Sequence, residues 1–119
     1  MIIKTSYFAK LRQVNISNPI SIARFTPKWF NGKCYKRLSP SSDLLNRYKT
    51  GLIDEETYTK EFNNYLESLD PNEIESDLME LTEGDVGVLL CYEKSTDFCH
   101  RHLVAKWLNT HLNLNVTEL

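Results

Sequence analysis

Residues 86–92, Val-Gly-Val-Leu-Leu-Cys-Tyr, form an unbroken run of apolar residues and glycine in which no polar side chain alternates. A half-buried strand alternates with period two, and an amphipathic helix spaces its apolar residues by three and four. This run does neither, which is the pattern of a strand covered on both faces inside a parallel sheet. Parallel neighbours cannot be joined by a hairpin and need long crossover connections, so the chain is expected to be α/β. A glutamate, Glu93, follows the run directly, where such a strand emerges from the core.

The flanking segments supply the partners of that central strand. Ile2-Ile3 and Tyr7-Phe8 read as a first short strand running into a loop, and Ile20-Ser21-Ile22-Ala23 as a second. Between Arg24 and Pro40, the turn signals Thr26-Pro27, Asn31-Gly32 and Ser39-Pro40 exclude a long regular element. Three helices are expected next. Ser41 caps the first, whose Leu44, Leu45 and Tyr48 share a face, with Gly51 just past its end. Asp54 opens the second, with Tyr58, Phe62, Tyr65, Leu66 and Leu69 spaced by three and four. Asp70 and Pro71 start the third, Glu73 is placed to complete a capping box, and Gly84 ends it. After the connection from Glu93 to Phe98, an amphipathic helix runs to about His111, and Leu112, Leu114 and Val116 alternate as a closing strand.

These elements imply a small three-layer α/β sandwich with a mostly parallel sheet of about four strands and a helical insertion between the second and third strands. The 119 residues suit one domain spanning 1–119 with one core. Fourteen basic residues against sixteen acidic ones leave a formal charge of −2, so no overall field draws the chain to nucleic acid or an anionic membrane. The N-terminal residues lack a signal-peptide run and there is no apolar stretch of about 18 residues, so a cytoplasmic protein without a membrane partner is expected. Three cysteines without an export signal point to reduced thiols rather than a disulfide framework.

In open parallel sheets, ligands bind beyond the carboxyl ends of the strands, where helix N-termini converge. Here those ends carry Ser6, Arg24, Cys91 and Glu93, and the last helix begins near Cys99-His100-Arg101. With Ser95, Thr96 or Asp97 as N-cap, Cys99 falls in the first turn, where free N–H groups and nearby cations favour a thiolate. Cys99, His100 and Glu93 are therefore the catalytic candidates, and Ser6, Arg24 and Arg101 the ligand-binding ones, for a small anion of phosphate or carboxylate type, nucleotide-like ligands included. Each has a plain structural alternative: Cys91 as a small packed hydrophobe, His100 as a core residue, and Glu93 as a loop carboxylate pairing with Arg101 or Arg24. Whether the chain is an enzyme stays open.

The spacing of Cys91, Cys99 and His100 matches neither C-x-x-C nor a compact Cys₂His₂ pattern, so no metal is assigned. The G-x-G-x-x-G, P-loop, nucleophile-elbow and H-E-x-x-H patterns are all missing, and no cofactor follows from the sequence. A second class of function is a non-catalytic module that meets a protein or nucleic acid through the basic aromatic loop 28–37, with Lys28, Lys33, Lys36 and Arg37 among Trp29, Phe30 and Tyr35.

Thr5-Ser6-Tyr7-Phe8, Ile20-Ser21-Ile22-Ala23-Arg24, Thr26-Pro27-Lys28-Trp29, Leu89-Leu90-Cys91-Tyr92-Glu93 and Cys99-His100-Arg101-His102-Leu103 together resemble the YeaO-like family of bacterial and phage proteins, a domain of unknown function. The likeness spans nearly the whole chain. It implies that Ser6, Arg24, Pro27, Cys91, Glu93, Cys99, His100 and Arg101 belong to a shared pattern, and it brings no activity of its own.

Overall fold

The computed structural model describes residues 1–93 and 98–119. Five strands, β1 (Ile2–Tyr7), β2 (Pro19–Ser21), β3 (Lys33–Cys34), β4 (Val86–Cys91) and β5 (Thr117–Glu118), form one sheet in the order β3-β2-β4-β1-β5. Every strand pair is parallel, and β4 occupies the middle, with Ile2 to Tyr7 of β1 in register with Val86 to Cys91. Gly87 is required in this strand: a Cβ there would come within 2.5 Å of Thr82 Cγ2. Four helices, α1 (Ser42–Lys49), α2 (Glu55–Glu67), α3 (Pro71–Thr82) and α4 (His100–Leu112), complete the regular structure.

The main core lies on one face of the sheet, where Ile3, Ile20, Ile22 and Leu89 meet Leu44, Phe62, Leu66, Ile74, Leu78, Val104 and Leu108 of the helices. On the other face a smaller cluster of Phe8, Ala23, Val88 and Leu90 is covered by Leu11, Ile16 and Phe30 from a 3₁₀ turn and loops. Helices, sheet and this thinner cover make the three layers. The apolar run is buried on both faces because β4 contributes Leu89 to one cluster and Val88 and Leu90 to the other.

The helix starts follow their capping chemistry. Ser41 Oγ accepts from Leu44 N at 3.0 Å, Asp54 Oδ1 from Thr57 N at 2.8 Å, and Asp70 Oδ1 from Asn72 N at 2.9 Å. The expected capping box at Asp70 is replaced: Glu73 instead accepts from Arg37 Nη1 at 3.1 Å.

Three further expectations are corrected. The sheet has five strands, because Lys33–Cys34 inside the turn-rich segment 24–40 pairs with β2 and Tyr35 N donates to Ser21 O at 2.8 Å. The closing strand is Thr117–Glu118 rather than the Leu112–Val116 stretch. There α4 persists to Leu112, Asn113 turns the chain with φ 54°, and the Asn109 side chain holds Val116 N and O at 2.7 and 3.3 Å. Helix α4 starts at His100 with Cys99 as its N-cap, so Cys99 is not in the first turn. The caps expected at Ser95, Thr96 or Asp97 lie outside the described residues.

Candidate functional site

Strand β4 delivers Cys91 to the carboxyl edge of the sheet, and the start of α4 returns Cys99 to the same place. The two are joined as a disulfide, contrary to the expectation of reduced thiols. Both are buried, whereas Cys34 is free and exposed. The correction has a geometric cause: proximity came from the sheet edge and helix start converging, which cysteine parity does not report.

Arg101 organises this junction. Its side chain is 0% exposed, although it is a full charge on an otherwise apolar helix face with Val104 and Leu108. Nη1 donates to Cys91 Sγ at 3.0 Å and to Glu93 O at 2.7 Å. Nε and Nη2 donate to the two carboxylate oxygens of Glu118 at 3.2 and 2.9 Å, a bidentate pair. Glu118 also accepts from Thr5 Oγ1 at 2.6 Å. Burial pushes the Glu118 carboxyl up, but the hydrogen bonds from Arg101 and Thr5 outweigh it and leave the group below its ordinary value. A buried cation thus carries its counter-ion with it, and its remaining edge faces sulfur.

His100 is held just as firmly. Its Nε2 lies 2.7 Å from Ile22 O, which can only accept, so Nε2 carries the proton and Nδ1 is left with its lone pair, 3.8 Å from Cys99 Sγ. Phe62 packs edge-on against the ring at 5.5 Å between centroids. Burial is the chief cause that brings the imidazole pKa down to about 4, reinforced by the nearby Arg101 and His102 charges, so the ring is neutral near pH 7. Cys91, Cys99 and His100 offer ligand atoms that all lie within 4.8 Å of one another, a donor set a metal ion would accept if the sulfurs were reduced.

Beside these groups opens a cavity of about 360 Å³, walled by Arg24, Lys49, Cys91, Glu93 and His100, with Phe25 and Tyr92 at its exposed rim. Arg24 is fixed by a 2.7 Å bond from Nε to Pro40 O, and among the described residues it makes no ion pair. Tyr92 Oη donates to Phe25 O at 2.6 Å, which ties the two rim residues together. Cys99 instead lines a neighbouring crevice of about 110 Å³ with Tyr48, Tyr58 and Phe98.

Of the residues singled out from the sequence, Arg24, Glu93 and His100 meet in the larger cavity, with Cys99 and Arg101 directly behind it. The Glu93 side chain is exposed and does not orient His100, whose ring nitrogens face Ile22 O and Cys99. Its backbone carbonyl, not its carboxylate, receives Arg101. Ser6 is fully buried, is not in the cavity wall, and its Oγ finds no partner among the described residues. Glu118 and Lys49 were missed; the one available signal was helical spacing, since Arg101, Val104 and Leu108 fall on one arc and a buried arginine requires an acid somewhere.

The basic loop is largely occupied with the protein itself. Lys33 Nζ donates to Leu81 O, Lys36 Nζ to Ala23 O and Arg24 O, and Arg37 pairs with Glu73 and Asp77. Tyr35 is buried and donates to Asp77 at 2.6 Å. Trp29 stays half exposed against Phe8, with Arg12 over its ring at 5.2 Å. Among the described residues no helix is long and apolar enough to cross a membrane.

No curated protein and no solved structure matches the chain. A family model does, over residues 9–112, which takes in Arg24, both site cysteines, His100 and Arg101. The chain belongs to DUF488-N3a, described as the active DUF488-N3 subclade, a domain of unknown function.

Proposed function

We propose that this domain binds a small anion, of phosphate or carboxylate type, in the cavity at the carboxyl ends of β2 and β4, and that Cys91, once reduced, stands beside it as a thiolate. The observation that carries the reading is the contact of the buried Arg101 guanidinium with Cys91 Sγ at 3.0 Å, at the wall of a cavity that also contains Arg24 and Lys49. A guanidinium in a dry site stabilises negative charge on sulfur, while the two other cations offer charge to an incoming anion. Roles divide accordingly. Arg24 and Lys49 bind, Cys91 supplies the thiolate when reduced, Arg101 holds that sulfur charged, and His100 fixes the start of α4 against Ile22.

This moves the reactive sulfur from Cys99, the candidate favoured by the sequence, to Cys91. Phe25 and Tyr92 are exposed aromatic residues at the rim, which favours ligands that carry a planar group, of nucleotide kind. The Cys-Tyr-Glu and Cys-His-Arg motifs that resemble YeaO-like proteins are the residues that build this junction. The occupied amines and guanidinium of loop 28–37 weigh against the interaction-module alternative.

The test is calorimetric titration of the reduced protein with inorganic phosphate. Arg24→Ala is expected to weaken binding about tenfold, the loss of one charge-assisted contact. Unchanged affinity in both Arg24→Ala and Lys49→Ala would remove the cavity as the anion site.

A further inference from the structure

Two cysteines from different elements meet at this site, and their surroundings differ in a way that assigns them different work. Cys91 Sγ receives Arg101 Nη1 at 3.0 Å, and Cys91 belongs to the wall of the larger cavity. Cys99 lines the narrow crevice, stands at the N-cap position of the thirteen-residue helix α4, and has His100 Nδ1 at 3.8 Å. A disulfide sulfur is neutral and a weak acceptor, so a fully buried guanidinium aimed at it is better matched to the thiolate that sulfur becomes on reduction.

We propose that Cys91 and Cys99 form a reversible dithiol–disulfide couple, in which Cys91 attacks and Cys99 resolves, and which exchanges with low-molecular-weight thiols and their disulfides admitted by the Cys91 cavity. The proposal rests on the reading of Cys91 as a cavity-facing thiolate, and extends it to a second activity.

In the first step the Cys91 thiolate attacks a small disulfide RSSR, forming Cys91–S–S–R and releasing RS⁻. In the second, Cys99 Sγ attacks Cys91 Sγ; the bond between Cys91 and the R sulfur breaks, and the departing sulfur leaves as RSH with the proton that Cys99 gives up. The sum is Cys91–S⁻ + Cys99–SH + RSSR → Cys91–S–S–Cys99 + RS⁻ + RSH. Two electrons pass from the cysteines to the small disulfide, which is the oxidant. Reduction is the reverse: a thiolate enters the cavity, attacks Cys91, and expels Cys99, whose departing charge is received by the free N–H groups opening α4. His100 Nδ1, the lone-pair nitrogen beside Cys99, accepts the S–H hydrogen bond that orients Cys99 in the reduced form.

Closure of the couple also takes the nucleophile away from any anion in the cavity. Arg24 and Lys49 are untouched by oxidation, so binding and reaction separate by redox state.

The experiment uses the full chain with Cys34→Ser, because Cys34 is exposed and would react on its own account. The reduced protein is treated with excess oxidised glutathione and followed by intact mass. Cys34→Ser is expected to lose two hydrogens and retain no glutathione. Cys34→Ser/Cys99→Ser is expected to stop with one glutathione on Cys91, and Cys34→Ser/Cys91→Ser to react at least about tenfold more slowly. Equal rates in the two double variants, or a Cys34→Ser protein that never closes, would overturn the proposal. Phosphate titration of the same reduced proteins keeps the two readings apart: closure without phosphate binding removes the anion site alone, and phosphate binding without closure removes the couple alone.

Discussion

Arg101 and Glu118 form a bidentate ion pair, Nε and Nη2 to the two carboxylate oxygens, across the edge where α4 meets β5, and the arginine end of that pair is wholly buried. They lie seventeen positions apart in the chain, and the pair aims the third nitrogen, Nη1, at Cys91. The aim of the guanidinium at Cys91 therefore depends on a carboxylate that never touches the sulfur.

Removing that carboxylate is the most direct test of the arrangement. Glu118→Gln keeps the shape but leaves the Arg101 charge without its partner. Breaking a buried pair costs about 3–5 kcal/mol, and the partial exposure of Glu118 brings this change below that range, to about 2–3 kcal/mol by urea unfolding at neutral pH. In the reduced protein the Cys91 thiol should also alkylate more slowly at pH 7. A variant as stable and as reactive as the parent would mean that Glu118 does not position Arg101.

The same carboxylate sets an acid limit. Because Glu118 is held below its ordinary value in the folded state, its contribution is complete above the unfolded pKa of about 4.3 and is lost as pH falls through the lower folded value. Stability measured from pH 5 to pH 2 should fall, and Glu118→Gln should fall less steeply over that range.

His100 acts in a higher window, which overlaps the first only between pH 4 and 5. Its pKa is about 4 when folded, against 6.5 for the free side chain, so between those values the unfolded chain binds a proton that the folded one refuses. Stability is full above pH 6.5 and declines on acidification to pH 4, by on the order of 3 kcal/mol for a shift of this size. Denaturant midpoints across that interval should show the slope in the parent. His100→Asn, which has no titrating group, should lack it. Persistence of the slope in that variant would assign it to other groups.

The sequence made the central strand and the caps of the first three helices legible, because both are local. An unalternating apolar run can only be buried on two faces, and Ser41, Asp54 and Asp70 act on backbone N–H groups two or three residues away. Strand β3 was hidden because two residues carry no period. The site was legible as a place and not as an arrangement. Cys91, Cys99, His100 and Arg101 lie in one stretch of chain, but what fixes them is remote: Ile22 O lies 78 positions from His100, and Thr5 lies 113 from Glu118. Helical spacing aligned Arg101 with Val104 and Leu108, so its burial was available from the sequence; the identity of its counter-ion was not.

Phe62 ties the helical layer to the site. It is 0% exposed on α2, stacks against Tyr58 and Tyr65, and meets the His100 ring edge-on at 5.5 Å. Phe62→Ala is expected to cost about 3–5 kcal/mol, as deletion of a buried aromatic ring usually does. Phe62→Leu fills most of the volume and should cost about 1–2 kcal/mol while removing the edge-on contact. If that contact holds His100 in place, Phe62→Leu should also broaden or shift the His100 imidazole resonances in the folded protein, with Cys34 reactivity unchanged as an internal control. Unaltered His100 signals in a destabilised Phe62→Leu protein would show that the Nε2 bond to Ile22 O suffices to hold the ring, and that Phe62 serves packing alone.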